Sequence, residues 1–311
     1  MLVTRHIGSI IAAALAATMT LAVVNPTNAA ALEAADASAT VTSVTGVTGT
    51  RDVVSTATTD SDSAAIVSTT AGTVDIPMST RGPVSVGAGQ FAVSLGLPHL
   101  TEKPAVRDAG GTVVYADGSR PANVAVQPLT SGFRALVNIK DASAPREYRF
   151  PVNGPTGSHL TSSADLLGVE YDTGELFLLD AAGHVITGFE AAWAKDANGA
   201  PVPTHYRLEG NTVVQVVEFD QNTAFPVVAD PTFWDVTRCV ASIAWFIGTN
   251  IVAPLKLLKI KRYIEALGGV RASANLMLRA ATWAERLNVG GGALVGLAAE
   301  LLGIAAIQDN C

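Results

Sequence analysis

The chain has 311 residues, enough for about two domains, and carries 27 acidic against 20 basic side chains, a formal charge of −7. Charged residues are only 15% and aromatic residues 6% of the total. Any core is therefore built from small aliphatic side chains, and the sparse charge is unlike that of an ordinary intracellular enzyme.

The N-terminus opens with a short basic stretch, "MLVTRH", followed by the uncharged apolar run "IGSIIAAALAATMTLAVV". Asn25 and Pro26 break that run, and "TNAAAL" offers small residues to a peptidase. This is the plan of a secretory signal peptide over residues 1–30, with cleavage between Ala29 and Leu32. An uncleaved anchor is the competing expectation, because the run approaches spanning length. Residues 31–73 are rich in Ser, Thr, Ala, Gly and Val and show no helical period. They are expected to form a disordered linker that buries too little to offset its ordering entropy.

Residues 74–231 read differently. Short runs of β-branched and aromatic residues recur between turn residues, as in "NVAVQPL", "FRALVNI", "REYRFPV" and "TVVQVVEF". Val124 and Val126 share one face; Val214, Val216 and Glu218 oppose Val213, Gln215 and Val217. Asp117-Gly118, Ala182-Gly183, Asn198-Gly199 and Gly210-Asn211 supply the turns. An antiparallel sandwich or meander is expected. After Asp230-Pro231 the period becomes helical, with helices expected over 237–252, 255–267, 270–288 and 292–307. Pro254, Gly268-Gly269 and Gly290-Gly291-Gly292 separate them. The predicted fold class is α+β, segregated: an antiparallel β-rich domain (74–231), then a small all-α bundle (236–311) closed by a disulfide.

The disulfide rests on export and an even cysteine count, Cys239 and Cys311. Closing a loop of that size stabilises by about 4 kcal/mol in the chain-entropy model. Other chemistry is sparse. His99, His159, His184 and His205 are scattered, so no metal site is expected. "DANG", Asp196 to Gly199, reads as a turn rather than a calcium loop. Glu170, Asp172 and Glu175 could pair as hydrolytic carboxylates, but they flank a turn, where a solvated surface is the ordinary expectation. With no nucleophile motif and no phosphate loop, neither an enzyme nor a cofactor is expected.

Charge is unevenly spread. Residues 239–311 hold seven Lys/Arg against four Asp/Glu, about +3, which leaves about −10 for the rest. The basic segment is "PLKLLKIKRYIEALGG", Pro254 to Gly269. Leu257, Ile260, Ile264 and Leu267 form an apolar stripe. Lys256, Lys259 and Arg262 recur at spacing three on another side, and Lys261 stands four residues before Glu265. The preceding stretch "ASIAWFIGTNIVA" carries no charge and contains Trp245 and Phe246, and the last, "ALVGLAAELLGIAAI", carries one, Glu300. Two nearly uncharged helices beside a cationic amphipathic one suit an anionic membrane surface. They equally suit a soluble bundle whose lysines are its wet face. The patch is too small for nucleic acid, which is not an expected partner.

"FEAAWAKDANGAPVPTHYRLEGNTVVQVVEFDQNTAFPVVADPTF", Phe189 to Phe233, resembles a module of exported actinobacterial proteins. Those proteins pair a β-rich region ending in a "PVVADP" phrase with differing C-terminal segments. The resemblance covers roughly residues 95–235 and rests on "AWAKDANG" and "FPVVADPT". It implies no catalytic residues, but it does imply delivery or precursor logic; a processing protease acting near Asp230 to Cys239 is a further expected partner. The helical tail is similar in size and composition to helical bacteriocins. The function expected is a secreted, non-enzymatic precursor whose cationic helices act on membranes. The alternative is an adhesive or structural envelope protein with a plain docking bundle.

Overall fold

The computed structural model describes residues 26–87, 92–235, 238–249, 254–279, 292–302, 304 and 307. The expected signal peptide lies outside them up to Asn25, and Cys311 lies outside them as well. Strand alternation is clearest in β9 (Glu147–Asn153), where Tyr148, Phe150 and Val152 turn inward and every other residue faces out. That face belongs to a sheet ordered β1 (Ser63–Thr69), β2 (Gly72–Pro77), β3 (Val84–Val86), β4 (Val93–Leu95), β9, β15 (Thr212–Val217), β14 (Thr204–Glu209). A second sheet runs β10 (His159–Ser162), β11 (Leu176–Leu179), β12 (Val185–Phe189), β17 (Thr232–Asp235), β8 (Gly132–Ile139), β7 (Ala122–Leu129), β6 (Val113–Tyr115), β5 (Val106–Arg107). Beside it, β16 (Val227–Ala229) joins β8 to β13 (Ala194–Lys195). The pairings are antiparallel.

The main core lies between the sheets. Tyr148, Phe150 and Val152 meet Val124, Val126, Phe133, Ala135 and Val137 there. Gly183, Gly199 and Gly210 have the positive φ expected of their turns; Gly118 lies outside the left-handed region. Asp196 accepts from the Asn198 and Ala200 amides at 2.9 and 2.8 Å, which makes "DANG" a closed turn.

Residues 31–73 differ from the expected linker. Helix α1 (Pro26–Thr48) occupies the first part and β1 most of the last. Ala37, Thr40 and Val44 are buried at helical spacing, a stripe in which a polar Thr takes a core position. Its hydroxyl bonds back to the Asp36 carbonyl at 2.9 Å, and Thr45 and Thr48 do the same to residues four earlier, so the helix carries its hydroxyls internally. The helix lies on the outer face of β7 and β8, against Ala125, Leu136 and Val228. Asn123 donates to Asp36 at 2.8 Å and to Thr40 at 2.9 Å, and Lys140 reaches Asp36 at 3.1 Å. The β-rich part therefore begins at Ser63 and ends at Asp235 rather than spanning 74–231.

One strand organises the second sheet. β8 pairs with β7 along one edge and with both β16 and β17 along the other. Ala229 sits opposite Val137 and Thr232 opposite Arg134, so the register runs unbroken across Asp230-Pro231. Phe233 stacks on Phe133 at 4.8 Å and meets Phe189 edge-on at 5.5 Å. The chain then enters α3 (Arg238–Thr249), α4 (Pro254–Ala266), α5 (Val270–Arg279) and α6 (Gly292–Leu301). A short helix, α2 (Ser163–Leu167), absent from the sequence expectation, is held by a capping box of Ser162 and Asp165. The C-terminal helices share one apolar cluster with Leu167, Tyr171, Phe177 and Val185 of the β-rich part. They pack on one another and on this face of the sandwich.

Replacing Asp36 by Ala tests the docking of α1. It takes one acceptor from Asn123 and the carboxylate partner from Lys140, leaving them Thr40 and the Asp117 carbonyl, and a broken buried polar pair costs about 1–3 kcal/mol. Chemical denaturation of the variant should report that loss, and proteases should then cut within 33–60. An unchanged midpoint would return this segment to a free linker.

Candidate functional site

The seam between the helices and the sandwich gathers most of the residues singled out in the sequence. Its centre is Glu175, 4% exposed. Its carboxylate accepts from the Val270 amide at 2.8 Å, the Arg271 amide at 3.2 Å and the Thr173 hydroxyl at 3.1 Å. A side chain of the β-rich part thus satisfies the free amides at the start of α5. Arg271 reaches back and pairs with Glu190, just after β12. Gly269 makes this approach possible. Its φ is +111°, and a Cβ there would overlap the Glu175 carboxylate. The Gly269 amide also closes α4 by bonding to the Ile264 carbonyl at 2.9 Å. Burial pushes the Glu175 carboxyl up, against its amide donors. Burial brings the Arg271 guanidinium down to about 10. The expected solvated turn at Glu170, Asp172 and Glu175 is therefore only partly solvated. Asp172 is spent on Ser163 and the Gly174 amide, and Glu175 is interior.

Helix α4 buries Leu257, Ile260 and Ile264 and half-buries Leu267. Gly296 of α6 takes the Tyr263 ring where any Cβ would collide with it. The cations are largely engaged within the chain. Lys259 pairs with Glu300 at 3.2 Å. Arg262 donates to the Tyr171 hydroxyl, which with Glu170 and Glu265 holds its guanidinium above the usual range. Lys261 does not pair with Glu265. It lines a cavity of about 440 Å3 with Asp165, Leu166, Ala244 and Gly248, and burial lowers its ammonium pKa. Lys256 is half-buried. Phe246, expected to face a membrane, is 5% exposed and packs in the shared cluster. The Trp245 and Cys239 side chains, and all of Cys311, lie outside the described residues, as does the expected helix beyond Arg279. Among the described residues no helix is long and apolar enough to cross a membrane.

A second buried carboxylate sits where β16 meets β17. Asp230 is fully buried. It accepts from the Thr232 hydroxyl at 2.6 Å and the Trp193 amide at 3.2 Å. Burial pushes it up to about 7, with Arg134 opposing. Beside it the Tyr206 hydroxyl is raised by burial and by Asp230. Among the described residues that hydroxyl has no hydrogen-bond partner, and neither does Gln215 Oε1. Sequence reasoning placed Glu175 on a solvated turn and Asp230 at a domain boundary, and missed that both are buried. The available signals were a lone Glu before the apolar run "LFLL" and a lone Asp after "FPVVA". Neither the family models, nor the curated proteins, nor the solved structures compared with the chain match it.

Two outcomes follow from these carboxylates. Replacing Glu175 with Ala should cost about 0.5–2 kcal/mol, as loss of a helix cap does. It should also speed hydrogen exchange at the Val270 and Arg271 amides, whereas Glu175→Gln, which keeps an acceptor, should do so less. Equal protection in all three proteins would show that the cap holds nothing. The pH profile is the second. A raised folded pKa means that the folded chain keeps a proton which the unfolded chain releases. For Asp230 stability should therefore fall as pH rises from 3.8 to about 7. Exposed carboxylates with lowered pKa, such as Glu147 and Asp180, lose their contribution as pH falls below their ordinary values of 4.5 and 3.8, at the acid edge of that window or beyond it. Denaturation midpoints measured across it should decline, and Asp230→Asn should flatten the decline. A flat wild-type profile would contradict the assignment.

Proposed function

We propose that the chain is an exported, non-enzymatic carrier that holds its C-terminal helices latent against its sandwich. Once released, the helices act on anionic membranes as an antimicrobial, bacteriocin-like module. The observation that carries this reading is the shared apolar cluster. The faces of α3 and α4 that would enter a lipid interface are packed on Phe177, Val185, Leu167 and Tyr171. The cations that would steer them are partly occupied by Glu300, Tyr171 and Glu170. An acidic β-rich part beside a cationic tail shields it by complementary charge. Export rests on residues 1–31, and the expected cleavage falls in the exposed first turns of α1, before Glu33 makes its contact with Lys103. A Cys239–Cys311 bond would close the released module.

The shared cluster also supports a second reading, an envelope interaction protein whose helices never leave. A cleavable sequence inserted between Asp235 and Arg238 separates the two. Dye release from vesicles containing anionic lipid is measured before and after the cut. The carrier reading expects an inert intact chain and leakage after cleavage. Changing Lys256, Lys259 and Arg262 to Gln should suppress that leakage at low salt, since each basic residue near such a surface contributes about 1 kcal/mol. The effect should shrink at high salt. A cleaved chain that stays assembled and leaves vesicles intact would favour the docking bundle.

A further inference from the structure

The strand from Val227 to Asp235 contains one place where its ladder fails. Pro231 has no amide hydrogen to donate. The Asp230 amide turns to the Trp193 carbonyl at 3.3 Å, while the Pro231 carbonyl accepts from Ala135 at 3.0 Å. At this point the strand's outer neighbour changes from β13 to β12. The Asp230 side chain does not leave the gap. It accepts from both the hydroxyl and the amide of Thr232, two residues on. A carboxyl held that way lies alongside the peptide bond between its own residue and the next. That bond is Asp230–Pro231.

We propose that the chain cuts itself at the Asp230–Pro231 bond, with the Asp230 carboxyl as the intramolecular nucleophile. One carboxyl oxygen bonds to the Asp230 carbonyl carbon. The carboxyl proton passes to the Pro231 nitrogen, and the carbon–nitrogen bond breaks. A five-membered cyclic anhydride remains on Asp230, and Pro231 becomes a free secondary amine. Water then opens the anhydride, placing its oxygen in one of the two Asp230 carboxyls. The net change is hydrolysis of one peptide bond, with no oxidation. Proline is the favourable leaving group, because its nitrogen is a tertiary amide that becomes a basic secondary amine. A neutral carboxyl brings nucleophile and proton together, and holding them against the target replaces a bimolecular encounter.

The surroundings suit this step. The carboxyl accepts from the Trp193 amide and from Thr232, and among the described residues the titratable groups acting on it are Arg134 of β8 and Tyr206 of β14. Behind Arg134 stand Asp52 and Arg271. Burial keeps the carboxyl protonated to about 7, so the reactive form persists well above the pH at which a free aspartate has ionised. Arg134 is a cation that acts on the same carboxyl and would favour negative charge developing beside it. The cut ends would stay in place, because β16 and β17 are each held on β8 on their own account. The step goes beyond the carrier reading and does not depend on what the helices do afterwards.

The test uses the full chain, purified in denaturant to remove proteases, refolded, and incubated in 18O-water across pH. Intact mass should show two fragments, one ending at Asp230 and one beginning at Pro231. They should form at least about tenfold faster in the folded chain than in denaturant, as preorganisation requires. The rate should fall as pH passes about 7, where Asp230 ionises. Label should appear in either carboxyl of Asp230, whereas a contaminating protease labels the α-carboxyl alone. Asp230→Ala, which removes the nucleophile, should abolish the reaction. Pro231→Ala, which keeps the carboxyl but offers a poorer leaving group, should slow it severalfold or more while the circular dichroism stays native. Fragments at equal rate in denaturant, fragments from folded Asp230→Ala, label confined to the α-carboxyl, or no fragments from the folded chain over days would each overturn the proposal.

Discussion

Everything downstream of the sandwich depends on the hold that β8 keeps on the segment from Val227 to Trp234. The register is continuous from Val227 opposite Ile139 to Trp234 opposite Gly132. That single pairing places Asp230 in the interior and stacks Phe233 on Phe133. It also delivers the chain to the outer face of β11 and β12, where the helices find Phe177 and Val185. Because a one-residue slip would turn Phe233 outward and Asp230 to a different face, the pattern itself selects this register. Aromatic contacts of this kind add about 0.5–1.5 kcal/mol each beyond the area they bury.

Much of the sandwich was legible because its period is strict. β9 buries Tyr148, Phe150 and Val152 as its alternation requires, and Val124 and Val126 of β7 share the core face. The stripe of α4 was legible for the same reason. What was hidden is instructive. In α1 the buried stripe contains Thr40, and its partners are Asn123, Asn138 and Lys140. Small residues, Ala37, Val41, Val44 and Val47, carry the helix's apolar face amid many Ser and Thr, so the segment passes for a linker. Helix α2 was hidden by its brevity. Glu175 and Asp230 were hidden because burial of a lone carboxylate is decided by distant chain: the amides of α5 in one case, β8 and Trp193 in the other.

The same comparison corrects the picture of the tail. The basic segment was read as an independent amphipathic helix with one wet side. In the folded chain its wet side is partly spoken for by Glu300, Tyr171 and the cavity beneath Lys261. Its uncharged neighbour turns Phe246 inward. Charge asymmetry between the two parts of the chain is thus realised as contacts as well as as a field. Exposed pairs of this sort contribute little to stability, so the apolar cluster and the Glu175 cap carry the attachment, while the ion pairs set its orientation.

The seating of α1 has a consequence for the order in which the molecule can assemble. Asp36 finds Asn123 and Lys140, 87 and 104 residues further along the chain, and Val228 of β16 completes the same cluster. Contacts so distant in sequence form slowly, because the intervening loop must close first. A chain emerging N-terminus first presents this helix long before its platform exists. Until most of the sandwich has arrived, this helix has no surface to lie on.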